Sequence, residues 1–279
     1  MVDTGNQHGR LAGKDTAGRD ASVRGAPDRP DLPVLRDWPA LSAELSPRHP
    51  VLILAGNFGS GKTELACNLC LGLAAAGKRV RLADLDIVKP LFRCREAMGI
   101  LEAAGVHLVV PRGERFWADL PIVLPEVKGM IQEPNGFVVL DVGGEATGAR
   151  VLASLGDAFR PDCYEFWLVV NTCRPFTTQV PGLQAMCEQV GQAAGLKPTG
   201  LIANTHLLDE TDVELVVEGY DAARELETRL GVPVRMVACM ESLVAGLPRD
   251  RFDCPVLPLR RLPGMSGNED IRLAPPFKV

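Results

Sequence analysis

The chain has 279 residues, 46% of them hydrophobic, 23% charged and 5% aromatic, with a formal net charge of -5. That length allows one large domain or two small ones, and the scarcity of aromatic residues leaves the core to aliphatic and small side chains, as in α/β proteins. The acidic balance argues against nucleic-acid binding through phosphate contacts, and no run of 18 or more apolar residues offers a membrane span.

The N-terminal residues contain no apolar stretch of the secretory kind, so a cytoplasmic location is expected. Eight cysteines, at 67, 70, 94, 163, 173, 187, 239 and 254, match neither a disulfide framework nor paired zinc knuckles. They are expected to be thiols in a reducing compartment.

Residues 1–45 read as a disordered or loosely packed leader. The first 30 are rich in Gly, Arg, Asp and Ser without apolar periodicity. Leu35, Trp38, Leu41 and Leu45 then fall at roughly helical spacing, enough for a short appendage.

From Val51 a pattern repeats of a short apolar run, a longer amphipathic run, then Gly or Pro. The apolar runs are Val51–Ala55, Val80–Ala83, Val106–Val110, Phe137–Leu140, Glu165–Val170, Thr199–Ala203 and Pro233–Ala238. Between them, Leu65, Leu69 and Leu73 form a stripe ended by Gly77. Val151, Leu152, Leu155 and Phe159 form a second, and Val180, Leu183, Met186 and Val190 a third. A fourth runs from Val213, Val216 and Tyr220 to Leu230, before Gly231. Strands alternating with helices imply βαβ units and a parallel sheet with both faces covered. The nucleotide-binding domain so defined spans 46–250, and the Pro- and Arg-rich residues 251–279 read as a surface tail.

In such sheets ligands sit at the carboxyl ends of the strands. The first strand is followed by Gly56-Asn57-Phe58-Gly59-Ser60-Gly61-Lys62-Thr63. This is a G-x-x-x-x-G-K-[ST] phosphate loop in its required strand–loop–helix context. Gly56, Gly59 and Gly61 permit a tight turn with N–H groups facing inward, and Asn57 and Ser60 complete the cradle. Lys62 is expected to reach the β- and γ-phosphates, and the Thr63 hydroxyl to ligate Mg²⁺.

The second strand ends in Asp84-Leu85-Asp86 and the fourth in Asp141-Val142-Gly143-Gly144. Mg²⁺ prefers carboxylate, hydroxyl and water oxygens, so Asp84 and Asp141 are candidates to hold it with Thr63. Asp86 is placed to orient the attacking water, which makes Lys62, Asp84 and Asp86 the catalytic candidates. The Gly144 N–H is free to sense a γ-phosphate, a contact that hydrolysis would remove.

With GNFGSGKTELACNLC, VRLADLDIVKP and FVVLDVGG in hand, the chain resembles the CobQ/CobB/MinD/ParA nucleotide-binding family of P-loop NTPases over roughly Val51 to Cys239. The resemblance implies a three-layer fold with a mainly parallel seven-stranded sheet, helices on both faces, and MgATP as ligand. By motif, Lys62 and Thr63 take the phosphate-loop roles, Asp84 and Asp86 those of switch I, and Asp141 and Gly144 those of switch II. MinD/ParA members carry a lysine second in the loop that reaches the partner subunit's nucleotide. Asn57 stands there in this chain, so the homodimer that the resemblance implies lacks that contact. GNFGSGKT also looks similar to the loops of metal-centre-assembly GTPases.

The base is argued from Ala203-Asn204-Thr205-His206-Leu207. A guanine-reading NKxD needs an Asp three residues after the Asn, and Leu207 occupies that place. Guanine's donors lose that partner, at about 1–3 kcal/mol per unsatisfied group, so ATP is expected, with Asn204 contacting adenine.

The function implied is a magnesium-dependent ATPase acting as a nucleotide switch on a partner protein of unknown identity. A CobB-type small-molecule kinase or ligase is the alternative, with a pocket above Arg93, Arg112 and Trp117. A metal-centre-assembly GTPase is another. Arg93, Arg95, Arg112 and Arg115 either stabilise transition-state charge or form a solvated basic surface. His206 stands at the same edge. Cys67 and Cys70 read as small buried packing residues.

Overall fold

β1 (Val51–Gly56, VLILAG) is aliphatic without alternation and buried at every position, as expected of a strand covered on both faces. The computed structural model describes residues 48–86, 97–110 and 116–263, all within one compact unit, Leu32–Val279. The leader 1–45 and Arg93, Arg95, Arg112 and Arg115 lie outside the described residues.

The elements follow in strict alternation: α1 (Lys62–Ala75), β2 (Val80–Leu85), α2 (Met98–Ala103), β3 (His107–Val109), α3 (Phe116–Gln132), β4 (Phe137–Val142), α4 (Glu145–Ser154), β5 (Tyr164–Val170), α5 (Val180–Ala194), β6 (Gly200–Ala203), α6 (Val213–Leu230), β7 (Val234–Met240), α7 (Glu241–Val244) and β8 (Val256–Leu259).

Local chemistry sets the helix ends. α1 stops at Gly77 (φ 74°), with Gly77 N–H donating to Ala74 O and Lys78 N–H to Leu73 O. That pair of bonds is the Schellman arrangement, which needs a left-handed residue. α6 starts at Asp212, whose carboxylate accepts from Leu215 N–H at 2.8 Å.

The eight strands run in the order β3-β2-β4-β1-β5-β6-β7-β8, and every pairing is parallel. The chain leaves β1 toward β2 and β3 on one side, returns to β4, and then builds outward from β5. The carboxyl end of β1 is therefore a topological switch point, where a ligand crevice forms.

Alternate strand residues feed two cores. Ile53, Leu140, Leu168 and Val170 pack with Val127, Leu152, Leu183 and Val216 from α3, α4, α5 and α6. Leu52, Leu82, Val139 and Val169 pack with Leu65, Leu69 and Leu101 from α1 and α2. Cys67 and Cys70 are fully buried in this second core.

The sheet has eight strands, against the seven that the resemblance implied. The extra one lies in the stretch read as a tail. β8 runs parallel to β7, and Leu257, Leu259 and Leu262 are buried. Pro255 and Pro258 had marked this stretch as irregular. An edge strand tolerates proline because its outward side needs no ladder donor. No helix among the described residues is long and apolar enough to cross a membrane.

Candidate functional site

The loop 56–61 leaves β1 and turns into α1. Gly56 has φ 149° and Gly61 φ 88°. A Cβ on Gly56 would overlap the Val169 carbonyl, and one on Gly61 the Asn204 carboxamide nitrogen. Only glycine fits either place.

Two of the loop's carbonyls are held by side chains from later in the chain, and that of Asn57 from within the loop and the start of α1. Asn57 O accepts from Ser60 N–H at 3.1 Å and from Lys62 Nζ at 3.0 Å. Arg174 Nε donates to Gly59 O at 2.7 Å, and Asn204 Nδ2 to Ser60 O at 2.8 Å. Asn57 in turn donates to Pro175 O at 3.2 Å. A peptide unit directs C=O and N–H to opposite sides, so the bond on Ser60 O turns the Gly61 N–H away from Asn204, whereas Phe58 N–H is taken by Asn57 Oδ1 at 2.8 Å and Ser60 N–H by Asn57 O. The N-terminus of α1 adds its positive end.

Asp84 and Asp141 are Cα partners in the adjacent strands β2 and β4. Both are buried, on the same face of the sheet as α1. Asp84 Oδ1 accepts from Asp86 N–H at 3.0 Å, which fixes the turn that carries Asp86.

Burial pushes the Asp141 carboxyl up to about 6. The charge of Asp86 adds to that effect, and the Thr63 hydroxyl and Lys62 ammonium oppose it. Thr63 and Lys62 are near enough to act on it, yet among the described residues no donor meets either Asp141 oxygen with full hydrogen-bond geometry. Two stacked carboxylates beside a hydroxyl form a donor set for a hard cation that keeps water and phosphate oxygens as further ligands. Among the described residues no three His, Cys, Asp or Glu form a metal-holding group by themselves, so such a cation would need those further oxygens.

Gly143 and Gly144 lie close to the same centre. A Cβ on Gly143 would fall 2.6 Å from Asp86 Oδ1, and one on Gly144 2.8 Å from Phe58 N. The backbone after β4 therefore touches both the second acidic turn and the phosphate loop.

Asn204 stands at this edge with its side-chain amide bonded to Ser60 O, so the role visible in the structure is to brace the loop. The His206 ring reaches the same glycine, its Nε2 3.2 Å from the place a Gly61 Cβ would take. Beside them a small cavity of about 10 Å³, partly open to solvent, is lined by Glu64, Asn204, His206, Thr211, Met240 and Arg261 among others.

Two contributors were not legible as site residues. Arg174 had no assigned role, and its bond to Gly59 spans 115 residues. Arg261 falls in the presumed tail. Trp117 lies in α3, but its side chain is outside the described residues.

The family model described as CobQ/CobB/MinD/ParA nucleotide binding domain matches residues 51–234. Among solved structures, FtsY from Thermotoga maritima is 24% identical, covering 69% of this chain and 63% of its own, with a TM-score of 0.47. Chloroplast FtsY from Physcomitrella patens is 22% identical, covering 68% of this chain and 58% of its own, with a TM-score of 0.48. The chain thus spans less than two thirds of either FtsY, and matches this remote carry no information on activity. No curated protein matches the chain.

Proposed function

Because the chain belongs to the CobQ/CobB/MinD/ParA nucleotide-binding family of P-loop NTPases, we propose that it is a magnesium-dependent ATPase that acts as a nucleotide switch on a partner protein. The observation that carries this reading is the buried pair Asp84 and Asp141, side by side next to Lys62 and Thr63. Carboxylates in register in adjacent buried strands are costly to desolvate, and Lys62 already supplies one positive charge at Asp141. A divalent cation arriving with a ligand would lower the rest of that cost.

In this reading the amides of loop 56–61, with Phe58 and Ser60 N–H released from Asn57, and the N-terminus of α1 bind the β- and γ-phosphates. Lys62 leaves Asn57 O to reach them. Thr63, Asp84 and Asp141 would hold Mg²⁺, which supplies charge neutralisation between the phosphates when bound. Asp86 orients water in line with the γ-phosphorus. The Gly144 N–H contacts the γ-phosphate, so the backbone after β4 is ordered by the triphosphate and released by the diphosphate. A partner protein in the cytoplasm reads that difference. ATP is preferred over GTP because Leu207, 40% exposed at the end of β6, offers no carboxylate to guanine N1–H and N2–H.

The test is a thermal-shift titration with MgATP and MgGTP on the protein and on Lys62→Ala. Ligand at 100-fold over Kd stabilises by about 2.7 kcal/mol, which raises the midpoint by roughly 5–10 °C at this size. A rise with ATP that is lost in Lys62→Ala supports the reading. No rise with either nucleotide refutes it, and a rise with GTP alone refutes the base assignment.

A further inference from the structure

Asn57 occupies the donors of its own loop. Its Oδ1 accepts from Phe58 N–H at 2.8 Å. Its backbone oxygen accepts from Ser60 N–H at 3.1 Å and from Lys62 Nζ at 3.0 Å. Three donors that a phosphate loop offers to an anion therefore converge on two oxygens of one residue. On its other side the Asn57 carboxamide nitrogen donates to Pro175 O at 3.2 Å. The oxygen and nitrogen of a carboxamide turn together about one torsion, so the bond to Phe58 and the bond to Pro175 are made or lost as a pair.

Pro175 O belongs to the peptide unit that sets φ of Phe176, and that φ is 67°. A left-handed conformation at a bulky residue is strained and persists only where neighbouring contacts hold it. The turn supplies such contacts. Thr177 N–H donates to Arg174 O at 3.1 Å, and the Thr177 hydroxyl donates to Asn171 O at 2.8 Å. The Asn57 bond adds to them from the loop side. The Phe176 ring itself is 93% exposed, so packing of the ring does not offset the strain.

We propose that Asn57 is a positioning residue that couples phosphate occupancy of the loop to the turn 174–177: a phosphate oxygen takes Phe58 N–H from Asn57 Oδ1, the carboxamide swings, Pro175 O is released, and Phe176 leaves its left-handed conformation. A phosphate oxygen is charged and the carboxamide oxygen is not, so the exchange runs in the phosphate's favour. The turn is then a face on which a partner protein reads whether nucleotide is bound. Resting on the nucleotide reading of the site, this coupling gives the switch an output besides the backbone after β4.

Hydrogen exchange at the Thr177 amide, followed by mass spectrometry on the full chain, tests the coupling. Wild type and Asn57→Ala are compared with and without magnesium and a non-hydrolysable analogue of ATP, or of GTP if only that binds, with calorimetry confirming occupancy. In wild type the nucleotide is expected to speed exchange at Thr177 by roughly 3–10-fold, the value of one hydrogen bond, against the general stabilisation that a bound ligand brings. In Asn57→Ala exchange there is expected to be fast without nucleotide and to rise no further. Asn57→Ser, whose side chain is too short to bridge to Pro175, serves if the alanine variant does not fold. Unchanged or slower exchange at Thr177 in nucleotide-bound wild type overturns the proposal and leaves the ATPase reading standing. A rise of the same size in the position-57 variant also overturns it, since the signal then travels through the bond from Arg174 to Gly59. Failure of the wild-type chain to bind either nucleotide overturns both.

Discussion

Replacing Asp141 by Asn should stabilise the metal-free protein at pH 8. The Asp141 carboxyl moves from 3.8 to about 6 on folding, mainly through burial. A raised carboxyl means the folded state prefers the protonated form. The unfavourable contribution is therefore absent below about pH 4, grows between 4 and 6, and is fully present above 6. Two units at about 1.4 kcal/mol each give an upper bound of about 3 kcal/mol. The asparagine amide is also buried and returns part of that cost, leaving a gain of about 1–2 kcal/mol. At this chain length the melting midpoint rises by roughly 3–6 °C. Thermal melts in chelator at pH 8 and pH 5 check it, and the gap should narrow at pH 5, where wild-type Asp141 is protonated in the folded state but still ionised in the unfolded chain and about half of the cost is gone. With MgATP the order reverses, because the variant gains no ligand shift. A variant less stable than wild type at pH 8, or a gap independent of pH, would refute the electrostatic reasoning.

Gly61→Ala forces a Cβ into the Asn204 carboxamide at φ 88°; nucleotide affinity should fall more than about 10-fold, since strain at such a site costs 1–3 kcal/mol, while circular dichroism stays native. Asn204→Ala removes the donor to Ser60 O and should weaken MgATP binding by about 5–10-fold, read by calorimetry, for a buried bond worth roughly 1 kcal/mol. Leu262→Ala should cost about 2–4 kcal/mol in denaturant melts if the C-terminal segment is core, and close to nothing if it is a tail. Asp212→Ala removes the α6 cap and should lower stability by about 1 kcal/mol without changing nucleotide affinity.

The strands and the phosphate loop were legible because both obey local rules. A continuous aliphatic run such as Val51–Ala55 has one reading when both faces are covered, and the glycine spacing of the loop follows from its own backbone. Asp84 and Asp141 were legible as candidates for the same reason: each terminates such a run. Their register as direct neighbours was not, because it depends on β4 inserting between β1 and β2. β8 was hidden by Pro255 and Pro258, whose local preference for irregular structure is overridden by pairing at a sheet edge. Asn204 illustrates a different limit. Its place at the end of β6 was readable, but its nearest partner, Ser60 O, lies 144 residues away.

The bonds that shape this site share that character. Gly59 is held by Arg174, Ser60 by Asn204, Asn68 by Arg260, and Asp209 by Arg261. The motif supplies a loop able to bind phosphate, and the ends of β5, β6 and β8 decide how rigidly it does so. Three of these contacts join α1 or its loop to strands laid down later in the chain. The phosphate site is therefore complete only when the β5–β8 half of the sheet has docked. Weakening that half, as in Leu262→Ala, should lower nucleotide affinity before it unfolds the β1–β4 half. Equal losses in both, followed by hydrogen exchange in each half during titration with denaturant, would show instead that the sheet opens as one unit.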